Sequence, residues 1–282
     1  MSTRGLVVTP HFTFDGQTLH FPGLVGLEAD DLRQYLLYWD RIDWPDTNFI
    51  SVGSSPDVQF LEAEGILTRT RVQIGSFSGN AGGAYVIAQM AAFRLLSAKD
   101  PGQWALGQTT ARFFAPTEGS SPTRVVEVEL YGALPIPPAT LALQDVLDFK
   151  AKRASELLAL RGALDELYLQ IADSADIPRA KDAAITRLKI VVRDLNAVAT
   201  ASWGSRLLRS LKVEVKIPDI VVGALGGAAV SLPLGVAAPI GLAAGAVAAA
   251  IKFESQSLRA PSIPNDLRAF AYLYHMHRDL AV

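Results

Sequence analysis

The longest uncharged run in this chain extends from Ile220 to Ile251 and sets the strongest limit on its fold. Its only polar side chain is that of Ser231. A run of this kind passes the screen for a membrane-spanning helix, which needs about 20 apolar residues. Pro233 and Pro239 interrupt it, however, and an internal proline removes a backbone donor and clashes with the preceding turn. The run therefore predicts two helical arms joined by a bend, at Ile220–Leu232 and Ile240–Ile251.

Both arms are rich in glycine and alanine. At about 1.5 Å per residue each arm is roughly 18–20 Å long, which is shorter than a hydrocarbon core of about 30 Å. Small residues four positions apart let helix backbones approach closely, a packing that is favoured in lipid. The residues predicted to insert into a membrane are Gly223, Gly227, Pro233, Pro239, Gly241, Gly245 and Ala249. The alternative is an alanine-rich pair of helices buried inside a helical domain or an oligomer.

Composition limits the compartment and the partners. The 282 residues carry a formal net charge of −2 and their basic residues are scattered, so nucleic acid is not an expected partner. The absence of cysteine excludes disulfides and thiolate metal sites. The first residues, MSTRGLVVTPHF, contain no apolar run of signal-peptide length. We therefore expect a cytoplasmic protein that associates with a membrane conditionally.

The first half of the chain alternates strand-like and helix-like segments. Apolar, β-branched runs mark the strands, whereas serine, aspartate and proline mark the helix starts. The predicted order is a strand at Gly5–Thr9, a helix capped by Asp30 or Asp31 and extending to Ile42, a strand at Phe49–Val52, a helix opened by Ser54, Ser55 and Pro56 and closed by Gly65, a strand at Thr68–Ile74, a helix at Ala84–Ala98 and a strand at Arg124–Tyr131. This order is typical of an α/β domain with a partly parallel sheet.

Three prolines between Leu134 and Pro138 favour an extended junction, and we place a domain boundary there. An α/β domain then covers residues 1–134, and an all-α domain covers residues 135–282. The second domain is predicted to contain a helical hairpin at 140–200 (helices Thr140–Ala172 and Arg179–Thr200), a short strand at Val213–Ile217, a helix cap at Asp219, the buried apolar hairpin at 220–251 and an amphipathic helix at Asn265–Leu280.

A glycine-rich segment, GSFSGNAGG, extends from Gly75 to Gly83 between a predicted strand and a predicted helix. Backbone amides in such a position can bind a phosphate at the helix N-terminus, here through Gly79, Gly82 and Gly83. The segment lacks both the Lys-Ser/Thr ending of a P-loop and the spacing of a dinucleotide fingerprint. A flexible surface loop is the favoured interpretation, and phosphate binding is the alternative.

Trp39, Arg41 and Trp44 stand within a short acidic segment that ends at Asp46, and exposed residues of these types often anchor a protein partner. The structural alternative is that Trp39 lies on the apolar face of its helix while Asp40 and Asp43 are solvated. No spacing of nucleophile, base or ligand residues fits a catalytic template or a metal site. We therefore expect no catalytic residue, no metal and no cofactor.

Three segments resemble an uncharacterised bacterial family associated with mobile and antiphage-defence loci: RGLVVTP, LLYWDRIDWP and LQDVLDFKAKRASELLALR. The resemblance extends from the N-terminus into the first long helix, and it implies no catalytic residue. The apolar hairpin is similar in kind to those of pore-forming toxins. The organisation resembles the membrane-acting component of the jumbo phage killer system, although the arm length and the prolines depart from the colicin pattern.

The sequence thus favours a non-enzymatic, membrane-acting effector of antiphage defence. Its soluble fold would store the apolar hairpin until a partner or a membrane triggers release. The expected partners are membrane lipid, a second protein that senses or recruits, and further copies of this chain. The alternative is a nucleotide- or phosphate-binding module or enzyme that uses Gly75–Gly83, with the hairpin purely structural or an oligomer seam.

Overall fold

A computed structural model describes residues 3–14, 19–20, 26–48, 53–77, 81–108, 112–115, 130–202, 219–222, 228–231 and 265–280. The strands are β1 (Gly5–Val8), β2 (Thr13–Phe14), β3 (Leu19–His20), β4 (Arg41–Asp43), β5 (Asp46–Thr47), β6 (Leu67–Thr68), β7 (Arg71–Phe77), β8 (Trp104–Gly107), β9 (Arg112–Ala115), β10 (Asp219–Val222) and β11 (Ala228–Ser231). The helices are α1 (Ala29–Tyr38), α2 (Pro56–Ala63), α3 (Ala81–Lys99), α4 (Leu143–Lys152), α5 (Ala154–Ala172), α6 (Ile177–Ser202) and, after a 3₁₀-helix at Asn265–Phe270, α7 (Ala271–Leu280). An α/β region followed by helices confirms the predicted fold class.

Four parallel strands form the main sheet in the order β6-β4-β1-β8. The chain moves outwards from β1 through β4 to β6, and then adds β8 on the other side of β1. Because the direction reverses at β1, the connecting helices lie on opposite faces. Residues of α1 and α2 share a core with Leu6 and Val8, whereas residues of α3 share a second core with Val7 and Trp104. The carboxyl ends of β1 and β8 therefore form a topological switch point.

Gly5 lies where β1 and β8 approach most tightly. It is paired with Trp104, and a Cβ atom at Gly5 would overlap the indole ring. We expect Gly5→Ala to lower the free energy of unfolding by about 1–3 kcal/mol, because the ring would have to move within a packed core. Urea unfolding measures the loss. Gly53→Ala is the control, since a Cβ atom there meets nothing within 4 Å. Equal stability of the two variants would contradict the overlap.

The later helices pack beside α1. The chain bends at Arg153, so the predicted first long helix is divided into α4 and α5. α4 contacts α1, and α5 contacts α6 across the predicted turn. α7 docks against α4, α5 and α6, with residues 272–277 all buried. These contacts show that the terminal helix is part of the packed core.

One apolar core spans the predicted domain boundary. It joins Leu36 and Trp44, which precede the boundary, to Val146, Leu164 and Tyr272, which follow it. The division into domains at 1–134 and 135–282 stays a prediction, but the two parts share buried surface.

In the first half, one predicted helix is wrong at both ends and one predicted strand is wrong at its C-terminal end. Residues Arg41–Asp43 form a strand and not the end of the preceding helix. The N-cap of α1 is Glu28, and Asp30 and Asp31 lie in its first turn. Residues 130–132 form a helical turn, where the sequence predicted the end of a strand. The rest of that predicted strand, and the predicted strand at Phe49–Val52, lie outside the described residues.

The apolar run contains strands where helix was predicted. Residues 220–222 belong to β10, which pairs in parallel with β9, and Asp219 is the first residue of that strand and not a helix cap. β11 pairs antiparallel with β7. The β-branched residues at 220–222 fit this pairing. The rest of the run, including the second arm, lies outside the described residues, as does the predicted strand Val213–Ile217. Within the described ranges, no helix is long and apolar enough to cross a membrane.

Candidate functional site

Side chains from three later helices cap the C-terminal end of α1. A helix leaves its last carbonyl groups without intrahelical partners. At α1 the carbonyls of residues 36–39 accept hydrogen bonds from Lys150 of α4, Arg161 of α5 and Tyr272 of α7. The bonds are Lys150 Nζ to Leu36 (3.1 Å) and to Trp39, Tyr272 Oη to Leu37 (2.9 Å), and Arg161 to Tyr38 (2.7 Å).

Asp40 balances the two cations at this helix end. Its carboxylate accepts from Arg161 at 2.9 Å and 3.0 Å, lies 3.2 Å from Lys150 Nζ, and accepts from the backbone N–H of Arg4 at 2.9 Å. Burial alone would raise the pKa of Asp40, but the Arg161 hydrogen bond and the Lys150 charge outweigh it and hold the pKa at about 2. Burial has the opposite effect on a cation, and it lowers the pKa of Lys150 to about 8 although the charge of Asp40 raises it.

This helix-end cluster (Arg4, Asp40, Lys150, Arg161, Tyr272) is structural. Both oxygens of Asp40 and all the carbonyls of residues 36–39 have donors, and Lys150 donates to three acceptors. Perturbed pKa values often mark functional sites, but ion-pair networks perturb them as well. A lysine whose donors are all occupied has no free group for chemistry, so the candidate site lies elsewhere.

A second polar cluster lies at the carboxyl edge of the main sheet, at the switch point. This carboxyl-edge cluster consists of Thr9, Asp43, Thr70, Gln89 and Gln108. Thr9 follows β1, Asp43 ends β4 and Gln108 follows β8, so the parallel strands bring them to one edge. Ligands of open α/β sheets bind in the crevice outside this edge, beside the switch point.

Gln89 of α3 lies over the carboxyl ends of β1 and β8. Its amide nitrogen donates to the carbonyls of Val7 and Gly107, both at 2.7 Å, and its side-chain oxygen accepts from Gln108 at 2.8 Å. The side chain is fully buried. These bonds join α3 to the backbone of β1 and β8 near the carboxyl edge.

Asp43 is the buried carboxylate of the cluster, with an exposure of 0%. Its Oδ2 accepts from the Thr68 hydroxyl (2.8 Å), the Thr70 hydroxyl (2.8 Å) and the Thr70 backbone N–H (3.2 Å). Its Oδ1 has no partner among the described residues. Burial raises the pKa of Asp43 to about 6, although the hydrogen bonds from Thr70 and Thr68 lower it. The structural alternative predicted a solvated Asp43, and this prediction is wrong.

The raised pKa predicts a specific dependence of stability on pH. The folded pKa of Asp43, about 6, lies above the ordinary value of 3.8, so the protonated form favours the fold. This contribution is complete below the ordinary pKa and is lost as the pH rises through the folded one. We expect Asp43→Asn to gain stability over the wild type by about 3 kcal/mol between about pH 4 and about pH 8.

Urea unfolding across that pH range measures the difference between the two proteins. Asp194→Asn is the control, because Asp194 is partly exposed and, among the described residues, pairs with its neighbour Arg193. Parallel stability curves for Asp43→Asn and the wild type would contradict the raised pKa.

The first turns of α3 overhang the carboxyl edge. α3 precedes the parallel strand β8 and has its N-terminus at this edge, about 12 Å beyond Gln89 at 1.5 Å per residue. Gly82 and Gly83 lie in its first turn, while Gly79 lies outside the described residues. Burial raises the pKa of Tyr85 to about 12, and the charge of Asp46 adds to the effect. Tyr85 is thus a protonated hydroxyl at neutral pH.

The other predicted site residues lie apart from this edge or in the core. Trp39 and Trp44 are buried, at 3% and 1% exposure, so neither is a surface anchor. Arg41 lies over the Trp104 ring and pairs with Asp100. None of the residues predicted to insert into a membrane is among the described ones.

Sequence reasoning missed Thr9, Asp43, Gln89 and Gln108. A signal was present, because Thr9 follows the buried run GLVV directly and polar residues that end buried parallel strands gather at one edge. Asp43 gave no such signal, because the apolar spacing predicts a helix as far as Ile42 and not a strand that ends at Asp43. Gln89 lies within an otherwise apolar helix, and only the packing of that helix reveals its role.

Comparison with known proteins identifies a family without an assigned activity. Searches of curated proteins and of solved structures find no significant match. In the described ranges, no three histidine, cysteine or carboxylate side chains are grouped as metal ligands. A family model, described as the family of unknown function DUF6236, matches residues 12–281, and the chain therefore belongs to that family.

Proposed function

We propose that this protein binds a small phosphate-bearing molecule at the carboxyl edge of its parallel sheet. The phosphate would lie at the N-terminus of α3, and the organic part would extend towards the ends of β1 and β4. The observation that carries the proposal is the overhang of the first turns of α3 above the switch point, directly after the glycine-rich segment.

Helix geometry supports the phosphate position. The first four N–H groups of a helix have no intrahelical acceptor, and the helix dipole adds partial positive charge at the same end. Gly82 and Gly83 place no side chain over those groups, so an oxyanion can approach the backbone closely. Gln89 supports the overhang because it fixes α3 to β1 and β8.

The test is isothermal titration with inorganic phosphate, ribose 5-phosphate and adenosine monophosphate. Ala81→Glu places a carboxylate at the N-terminus of α3, where it favours the helix and repels an anion. We expect this variant to bind at least tenfold more weakly than the wild type. Ala98→Glu, at the other end of α3, is the control and should bind as the wild type does. If the wild type binds none of the three ligands, the proposal is overturned. It is also overturned if Ala81→Glu and Ala98→Glu bind them equally well.

A second proposal concerns the uncharged run 220–251, which is longer than burial of one helix requires. We propose that it perturbs a membrane, alone or with a partner protein. The full chain should release dye from vesicles of phosphatidylethanolamine and phosphatidylglycerol. Gly241→Lys with Gly245→Lys places charges in the run and should abolish release. Release by the charged variant equal to that by the wild type, or no release by either, would count against a membrane role.

A further inference from the structure

Two buried polar atoms at the carboxyl edge lack partners. They are Asp43 Oδ1 and Thr9 Oγ1, on side chains with exposures of 0% and 2%. Neither atom has a donor or acceptor within the part of the chain that the structure describes. Leaving a buried polar group unpaired costs about 1–3 kcal/mol, so native proteins rarely retain one without a further partner.

Strand pairing places both residues on the face that α3 covers. Asp43 is paired with Val7, and Val7 belongs to the core under α3. Thr9 follows Val7 by two residues, so alternation directs it to the same face. One strand spacing and two residue rises separate the Cα atoms of Thr9 and Asp43 by about 8 Å. The two unpaired side chains therefore lie on one face of the sheet edge, close enough for one small ligand to contact both.

The bonds of Asp43 determine what Oδ1 can bind. Oδ2 is already occupied by three donors from Thr68 and Thr70. Arg69, whose charge lowers the pKa of Asp43, pairs with Glu62 and stacks on Trp44. Oδ1 therefore offers one acceptor position, and the Thr9 hydroxyl offers one donor and one acceptor. A metal ion or an ammonium group needs more oxygen ligands than this, whereas a pair of hydroxyl groups needs no more.

We propose that the ligand is a phosphate ester of a polyol, such as a ribose phosphate, and that Asp43 Oδ1 and Thr9 Oγ1 bind two of its hydroxyl groups. This inference rests on the proposed function, because the phosphate at α3 fixes the other end of the ligand. β2 and β3 follow β1 and pair with each other, and β3 contacts α3.

The test compares inorganic phosphate, ribose 5-phosphate and 2-deoxyribose 5-phosphate by isothermal titration on the full chain. The wild type should bind ribose 5-phosphate at least tenfold more tightly than either of the others. Asp43→Asn is the informative variant. The Thr70 backbone N–H can only donate, so it keeps the amide oxygen at the Oδ2 position and places the NH₂ group at the Oδ1 position.

The ligand hydroxyl then meets a neutral amide group in place of a carboxylate oxygen, so the charge-assisted hydrogen bond is lost. We expect Asp43→Asn to bind ribose 5-phosphate about tenfold to a hundredfold more weakly, and inorganic phosphate as the wild type does. Thr9→Val should show a smaller loss in the same direction. Thr186→Val, on the exposed side of α6, is the matched control.

The outcomes separate the two proposals. If all three ligands bind equally and Asp43→Asn changes none of them, the polyol inference fails, a buried water accounts for the unpaired atoms, and the phosphate site stands. If none of the ligands binds the wild type, the proposed function fails and the inference fails with it.

Discussion

Asp40→Ala is expected to lower the free energy of unfolding by about 3–5 kcal/mol, because it leaves two partly buried cations without their counter-ion. Arg161 and Lys150 both pair with this carboxylate at the end of α1. Their remaining acceptors are carbonyl groups, which do not neutralise charge. The loss is measured by urea unfolding, followed by both tryptophan fluorescence and circular dichroism.

Asp194→Ala is the matched control for this prediction. Asp194 lies on the exposed side of α6 and bonds only to its neighbour Arg193, so its removal should change stability by no more than about 0.5 kcal/mol. A loss below about 1 kcal/mol for Asp40→Ala would show that the helix-end cluster does not hold α1 to the later helices. Transitions that separate in the two signals would favour independent domains.

Gln89→Leu is expected to cost about 3–5 kcal/mol, although the two side chains are similar in size. Leucine removes one hydrogen-bond partner from each of three buried groups, and losses of about 1–1.5 kcal/mol for each bond add up to this range. The groups are the carbonyls of Val7 and Gly107 and the amide of Gln108. Urea unfolding at neutral pH measures the effect.

Gln144→Leu provides the control, because Gln144 is exposed on α4 and bonds only to Asp148 one turn later. It should change stability by less than about 0.5 kcal/mol. Similar losses in the two variants would mean that water satisfies the strand ends in place of Gln89. The overhang of α3 would then lack the support that the proposed phosphate site needs.

The elements with strong local signals were predictable from the sequence. Ser55 caps α2 through the backbone N–H of Val58, and Gly65 follows the helix with a positive φ of 68°, as the serine, proline and glycine indicate. The run GLVV forms a buried strand. The buried leucines of α5, at 157, 160, 164 and 167, recur at helical spacing, whereas Leu158 and Leu169 are exposed. In each case the residues that determine the element lie within one or two turns of it in the sequence.

The end of α1 was not predictable, because its cause is remote. The apolar spacing of LLYWDRI continues past Tyr38, so periodicity alone extends the helix to Ile42. In the structure, side chains of α4, α5 and α7 bind the carbonyls of residues 36–39, and the chain turns into β4. The carboxylate of Asp43 is at the sheet edge for that reason.

The apolar run shows a second limit of periodicity. A short run of valine, isoleucine and alanine fits a buried strand as well as a buried helix. Residues 220–222 pair with β9 and residues 228–231 pair with β7, so partners far away in the sequence decide between the two. The carboxyl-edge cluster has the same origin, because five separate segments supply it.

The capping of α1 by remote side chains also has a consequence for the order of folding during synthesis. The hydrogen bond from Tyr272 to the Leu37 carbonyl joins residues that are 235 positions apart. A ribosome adds roughly 5–20 residues per second, so α1 waits at least about ten seconds for its last donor. Until then the nascent chain holds a helix whose end is incomplete, and its native state is reached only when the C-terminal helix emerges.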